Sequence, residues 1–362
     1  MRKSPKLTHC MDRSLRRLSQ QSEAERHYPI TPEDLLHIPR CPLCGSGSLL
    51  PIAEVWLQDA LNFFNTSVCL ECSHNFRSLT PGWQWFKDRW RQIATGSPGP
   101  FNPEIEETRK ERYRTYLEWM KPFISGRRVL EIGAAFGSGI SVFQEAGFEV
   151  EAIEPEDARA EYLRRTANIN VHAKVIEEIT TFVEPFDLIV FAHALEHMDD
   201  QARIFQRVRQ WLKPNTGVLY LEVPFIWEYV TWSDAFFLAH KCNFNEENLY
   251  RLAASNGLRV AGKRYPRQTP SDPRDIAMVL CQGKGPTIPC DTDENRGATE
   301  VRALFQRGLE TMPLSDGEWP IRYSVPYINH FYYSVRIDEG TFIDKRKEKG
   351  FIEFVPTAKN QT

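Results

Sequence analysis

The stretch 129-VLEIGAAFGSG-139 constrains this chain more than any other. An apolar run breaks into three glycines, Gly133, Gly137 and Gly139, within seven positions. Such a break is a strand turning into a helix around a ligand. Missing side chains let the backbone come close, and the next helix offers free N–H groups and positive dipole to an anion. Glu154 follows Gly133 by 21 residues, directly after a second apolar run, 149-EVEAI-153. A carboxylate at the end of a second strand accepts hydrogen bonds from both hydroxyls of a ribose. The two features together predict a site for an adenosine-type ligand rather than a tight turn beside a surface acid.

The glycine spacing, G-x-x-x-G-x-G, narrows the ligand. A nucleotide triphosphate loop needs Lys-Ser or Lys-Thr after its glycines, and none follows here. The dinucleotide fingerprint G-x-G-x-x-G does not fit either. Short-chain dehydrogenases share the spacing but use a Tyr with Lys four positions later, and no tyrosine of this chain has one.

The chain of 362 residues has room for two domains or one large core with appendages. A net charge of −3 gives no general attraction to nucleic acid, and no apolar run approaches the 18 residues of a membrane span. The N-terminus, MRKSPKLTHCMDRSLRRLSQ, is basic without the apolar core of a secretory signal, so a cytoplasmic location is expected. We read residues 1–38 as a basic lead-in, 39–80 as a small metal-binding segment and 81–108 as an aromatic helix (83-WQWFKDRW-90) with a Gly/Pro linker. Residues 109–283 read as the ligand-binding domain and 284–362 as an irregular C-terminal extension.

Within 109–283, expected strands are Val129–Ile132, Glu149–Ile153, Val171–Ile176, Asp187–Ala192, Val218–Val223, Leu258–Lys263 and Ile276–Gln282. Amphipathic segments such as 199–212 and 246–256 alternate with them. Asn245 is placed to cap the latter, and Gly257 lies just past its end. Strands this apolar, alternating with helices, predict a doubly wound α/β fold with a mostly parallel sheet covered on both faces.

Two Cys-x-x-Cys pairs, Cys41/Cys44 and Cys69/Cys72, stand 24 residues apart. In a reducing compartment this spacing predicts a zinc ribbon, with four thiolates closing a tetrahedral structural site. Cys10, Cys242, Cys281 and Cys290 show no such spacing and read as plain thiols.

Four stretches in order, VLEIGAAFGSG, 150-VEAIEP-155, 186-FDLIVFAHALEHMDD-200 and 212-LKPNTGVLYLEVP-224, resemble the class I S-adenosylmethionine-dependent methyltransferases. A fifth, 240-HKCNFNEENLYRLAASNGLRV-260, is similar to that family's segment before its sixth strand. The resemblance implies a Rossmann-like, seven-stranded sheet over residues 109–283. It also implies cofactor contacts. Glu131 and the loop Gly133, Ala135, Gly137, Gly139 would hold the methionine end, and Glu154 with Pro155 the ribose. Val175 and Ile176 would flank the adenine, and Ala192 with His193 would lie near the sulfonium. Ala135 stands where many members have a further glycine. Methyl transfer needs the acceptor aligned with the C–S bond, water excluded and a base for a hydroxyl acceptor. His193, His197 and His240 are the candidate bases.

A four-cysteine ribbon ahead of this domain resembles deoxysugar C-methyltransferases and natural-product relatives. Their His-Glu-His before the phenylalanine is reduced here to His240, in 238-LAHKC-242. The expected acceptor is therefore a small molecule, with a hydroxyl of a saccharide or related metabolite as the target. An RNA base methyltransferase that uses its ribbon to hold RNA is the second reading. A silent binding subunit is the third.

Overall fold

The computed structural model describes residues 31–57, 61–86, 102–229, 239–267, 274–283, 285–290, 297–310, 333–338 and 352–355. The rest of the basic lead-in, Cys10, and most of the aromatic run and Gly/Pro linker lie outside them. Strands occupy Leu35–His37 (β1), Leu49–Leu57 (β2), Leu61–Cys69 (β3), Asn75–Pro81 (β4), Arg128–Ile132 (β5), Glu149–Ile153 (β6) and Asn170–His172 (β7). They continue at Leu188–Ala192 (β8), Val218–Pro224 (β9), Cys242–Asn243 (β10), Arg259–Arg264 (β11), Asp275–Cys281 (β12), Tyr333–Asp338 (β13) and Ile352–Val355 (β14). Helices run over Pro103–Met120 (α1), Ser138–Glu145 (α2), Asp157–Ala167 (α3), Gln201–Trp211 (α4), Glu246–Ser255 (α5) and Ala298–Glu310 (α6). The chain forms two compact units, one of Met1–Trp85, Tyr229–Asn243 and Arg296–Thr362, the other of Phe86–Glu228 and Phe244–Asn295.

The second unit holds a seven-stranded sheet in the order β11-β12-β9-β8-β5-β6-β7. β9, β8, β5, β6 and β7 pair in parallel, while β12 runs antiparallel to both β9 and β11. Chain order reverses between β5 and β8, and in a doubly wound sheet ligands bind at that switch point, beyond the carboxyl ends of the strands. Both faces are covered: Leu188, Ile189, Val190 and Phe191 are fully buried, and so are Ile276 to Met278. Helix ends follow local chemistry. Asn102 accepts from the N–H groups of Glu104 and Ile105, and Pro103 opens α1 where its missing N–H costs nothing. Asn245 accepts from Asn248 N at 2.8 Å, and Gly257 takes the left-handed conformation (φ +67°) that ends α5.

One expected strand is shorter than its apolar run. β7 stops at His172, where Lys174 N bonds back to the His172 carbonyl at 2.9 Å. Val175 and Ile176 are buried in a following 3-10 turn, not in a strand.

The first unit is larger than the segment 39–80. Its sheet runs β1-β4-β3-β2-β13-β14, with β10 also pairing to β4. Two expectations are corrected here. Residues 284–362 are not irregular throughout, since they supply α6 and two strands, and β13 pairs antiparallel with β2. Cys242 and Asn243, expected inside the ligand-binding domain, form a strand opposite Phe76 and Asn75. That strand is fixed by buried polar contacts. Asn243 donates to Asn75 Oδ1 at 2.6 Å, Arg77 N donates to the Lys241 carbonyl at 2.7 Å, and Arg77 Nε to that of His240 at 3.1 Å. Among the described residues no helix is long and apolar enough to cross a membrane.

Candidate functional site

The glycine loop leaves β5 at the switch point. Gly133 (φ +78°), Ala135 (φ +47°) and Gly137 (φ +83°) are all left-handed, so the backbone folds back on itself within five residues. A Cβ on Gly137 would lie 2.6 Å from Leu163 Cδ2, and one on Gly139 would lie 2.4 Å from both Glu131 Oε1 and Tyr113 Cε1. Glycine at these two positions follows from close packing. Ala135 adopts the same backbone with a side chain, at about 1–2 kcal/mol of steric cost. Its N–H donates to Glu154 Oε2 at 2.8 Å, which holds the loop against the end of β6.

Glu154 is 4% exposed. Its other oxygen accepts from Glu156 N at 3.0 Å, so each oxygen holds one backbone N–H and keeps a further lone pair for a hydroxyl. Burial raises its pKa against the lowering effects of Arg159 and these two N–H groups. On the ribose assignment that the resemblance implies for Glu154, Glu154→Ala is expected to weaken S-adenosylhomocysteine binding by about 1–3 kcal/mol, read by calorimetry. Pro155 follows it directly.

Glu131, at 1% exposure, lies beneath the loop. Burial pushes its pKa up to about 7, although a hydrogen bond with Tyr113 acts in the opposite direction. Its Oε2 meets no hydrogen-bond partner among the described residues. A buried carboxylate oxygen without a donor, below a cradle that a Cβ would fill, fits the ammonium end of a methionine. A cation there favours the ionised carboxylate. The sign follows: below pH 7 the free protein holds a proton on Glu131 that the cationic ligand must displace. Affinity for S-adenosylhomocysteine is therefore expected to rise about fivefold from pH 6 to 7 and about twofold more by pH 8, as calorimetry across that range would read.

Val175 and Ile176 lie at the start of the 3-10 turn after β7. Arg207 on α4 fixes that turn by donating to the carbonyls of Ile176, Glu177 and Ile179 at 3.1, 2.7 and 3.1 Å. Ala192 ends β8, and His193 follows it in the left-handed conformation (φ +55°), its N–H bonded to the Glu222 carbonyl at 2.9 Å. A Cβ on Gly133 would approach Ala194 Cβ at 3.2 Å, so this strand end lies against the glycine loop.

The His193 ring has more acidic company than the sequence suggested. Its Nε2 lies 3.3 Å from Asp275 Oδ2 and 3.4 Å from Glu222 Oε1, and its Nδ1 lies 3.6 Å from Glu196 Oε1. Burial alone would lower its pKa; the three carboxylates outweigh burial and hold it well above the usual imidazole range. Tyr116 and Tyr220 both donate their hydroxyls to Glu222. Glu222, Asp275 and Tyr116 were missed as site residues because they stand far apart in the sequence. The available signal was a single carboxylate interrupting 218-VLYLEVP-224 and another heading 275-DIAMVLC-281. His197 closes the 3-10 turn Leu195–His197 in the same unit, whereas His240 belongs to the other.

In the first unit, Cys41, Cys44, Cys69 and Cys72 bring their sulfurs within 4.8 Å of one another. The two pairs have the same local structure. Cys41 N bonds to Ser46 O and Gly45 N to Cys41 O; Cys69 N bonds to His74 O and Ser73 N to Cys69 O. Gly45 (φ +75°) and Ser73 (φ +55°) take the left-handed position of each turn.

Residues 105–262 match the profile of a methyltransferase domain family. Those residues are similar to a methyltransferase domain. An uncharacterized methyltransferase of Staphylococcus carnosus is 31% identical over 120 residues, which are 33% of this chain and 57% of that protein. The chain thus spans little more than half the length of that curated relative. Among solved structures, a SAM-dependent methyltransferase of Leishmania major gives a TM-score of 0.43 at 18% identity, over 56% of this chain and 84% of the other. The N-methyltransferase NodS of Bradyrhizobium japonicum with S-adenosyl-l-homocysteine gives 0.44 at 16%, over 54% and 99%. The sheet that these residues build is the mixed, mostly parallel one described above.

Proposed function

We propose that the protein transfers the methyl group of S-adenosylmethionine to a hydroxyl of a small molecule, a saccharide or related metabolite. The observation that carries the acceptor class is the set of carboxylates at the ends of β8, β9 and β12. Glu196, Glu222 and Asp275 are 1%, 0% and 4% exposed and lie beside the strand end that touches the glycine loop. Negative charge concentrated there repels phosphates, which opposes a nucleic-acid backbone and favours a small acceptor without one.

S-adenosylmethionine supplies a sulfonium whose methyl leaves readily. The chain's own part is positioning. Glu131 takes the ammonium end, Glu154 the ribose hydroxyls, and the Val175–Ile176 turn the adenine face. Gly133, Gly137 and Gly139 let the backbone approach. His193 is enclosed by Asp275, Glu222 and Glu196, which gives it a positioning role rather than that of the base. His197 is then the candidate base within this unit.

We also assign Cys41, Cys44, Cys69 and Cys72 to a structural zinc ion. The Cys41–Cys72 and Cys44–Cys69 sulfurs lie 3.6 and 3.5 Å apart. Zinc–sulfur bonds of about 2.3 Å give tetrahedral edges of about 3.8 Å, close to both.

Methyl-labelled S-adenosylmethionine, incubated with the protein and an extract of the cells that make it, tests the acceptor. Label in the small-molecule or glycan fraction is the expected result. Label in RNA overturns the acceptor class, and no transfer despite cofactor binding supports a silent subunit.

A further inference from the structure

We propose that His193, Glu222 and Asp275 hold a divalent cation of zinc type, at a second site distinct from the four cysteines. The three side chains come from neighbouring positions in the sheet. Glu222 on β9 lies in register with Ala192 of β8 on one side and Ala277 of β12 on the other. His193 follows Ala192 and Asp275 opens β12, so all three project at one end of three adjacent strands.

Their spacing suits a cation. Nε2 of His193 is 3.3 Å from Asp275 Oδ2 and 3.4 Å from Glu222 Oε1. A zinc ion about 2.1 Å from each of three nitrogen or oxygen ligands places those ligands about 3.4 Å apart at tetrahedral angles. A hydrogen-bonded cluster explains the same atoms less well. The single Nε2–H aligns with at most one of the two carboxylates. Among the described residues no aligned donor reaches Asp275 Oδ2, although Asp275 is 4% exposed. That buried oxygen is directed at the same point as the ring nitrogen.

The surrounding groups match what a bound cation requires. His193 Nδ1 faces Glu196 Oε1 at 3.6 Å, the arrangement in which an outer carboxylate fixes the tautomer of a ligating imidazole. The hydroxyls of Tyr116 and Tyr220 fix Glu222 from two directions. Three protein ligands leave the fourth tetrahedral position for water or an acceptor oxygen. The use of that fourth position rests on the methyltransferase reading; cation binding does not.

Cobalt(II) titrated into the full chain, stripped of metal under reducing conditions, tests the site. Cobalt at four cysteines gives intense thiolate charge-transfer absorption, and cobalt at nitrogen and oxygen ligands gives visible bands without it. The expected result is two cobalt ions per chain with both signatures. His193→Gln and Asp275→Asn are each expected to abolish the nitrogen/oxygen signature and leave the thiolate bands intact. Glu196→Gln is expected to weaken the second ion about 10- to 100-fold. One cobalt ion with thiolate bands alone overturns the proposal, as does a second ion that survives both ligand substitutions. An unchanged far-ultraviolet circular dichroism spectrum shows that each variant is folded. Absence of S-adenosylhomocysteine binding by the unsubstituted chain would overturn the methyltransferase reading while the cobalt count still decides the cation site.

Discussion

Gly139→Ala is expected to reduce affinity for S-adenosylhomocysteine by at least about 100-fold, ~3 kcal/mol, in calorimetry. The added methyl would stand 2.4 Å from Glu131 Oε1 and 2.4 Å from Tyr113 Cε1. Neither neighbour can yield easily. Tyr113 packs edge-on against Phe143 and Tyr116, and Glu131 is enclosed at 1% exposure. Inserting a methyl into packing this close costs about 1–3 kcal/mol of stability and displaces the carboxylate assigned to the methionine ammonium. Gly147→Ala separates the two effects. That glycine is also left-handed (φ +83°), but its Cβ would meet nothing within 4 Å. It should lose about 1 kcal/mol of stability and keep its cofactor affinity.

Metal removal should produce the second large effect, confined to the first unit. Structural zinc at four thiolates contributes roughly 10–16 kcal/mol to folding, and the knuckles that bear the cysteines end β3 and precede β2 and β4. A strong chelator under reducing conditions should therefore remove hydrogen-exchange protection from β1 to β4 and from β10, which pairs with β4. Protection in β5, β8 and β9 should persist, since those strands belong to the other unit. Cys69→Ser should reproduce the pattern without chelator. Full protection of β3 and β4 after metal removal would show that the four sulfurs hold no structural ion.

The parts of this architecture that sequence reveals are those written over short distances. Gly133 to Gly139 and Glu154 are legible because one turn demands them, and Asn245 and Gly257 because a helix end does. The parallel strands are legible because burial on both faces makes them continuously apolar. Apolarity alone misleads at Val175 and Ile176, which are as buried in a turn as they would be in a strand. β13 and β10 are strands only because β2 and β4 offer free edges, and those partners lie far away in the chain. The same holds at the site. His193, Glu222 and Asp275 are separated by 29 and 53 residues, so no local spacing announces them, and only the strand order brings them together.

The most direct measurement of the central claim is calorimetric titration of S-adenosylhomocysteine into the full chain. Saturable binding of one ligand per chain, weakened by Glu154→Ala and nearly lost in Gly139→Ala, is the predicted result. No binding by a chain that retains the exchange protection of β5, β8 and β9 would contradict it.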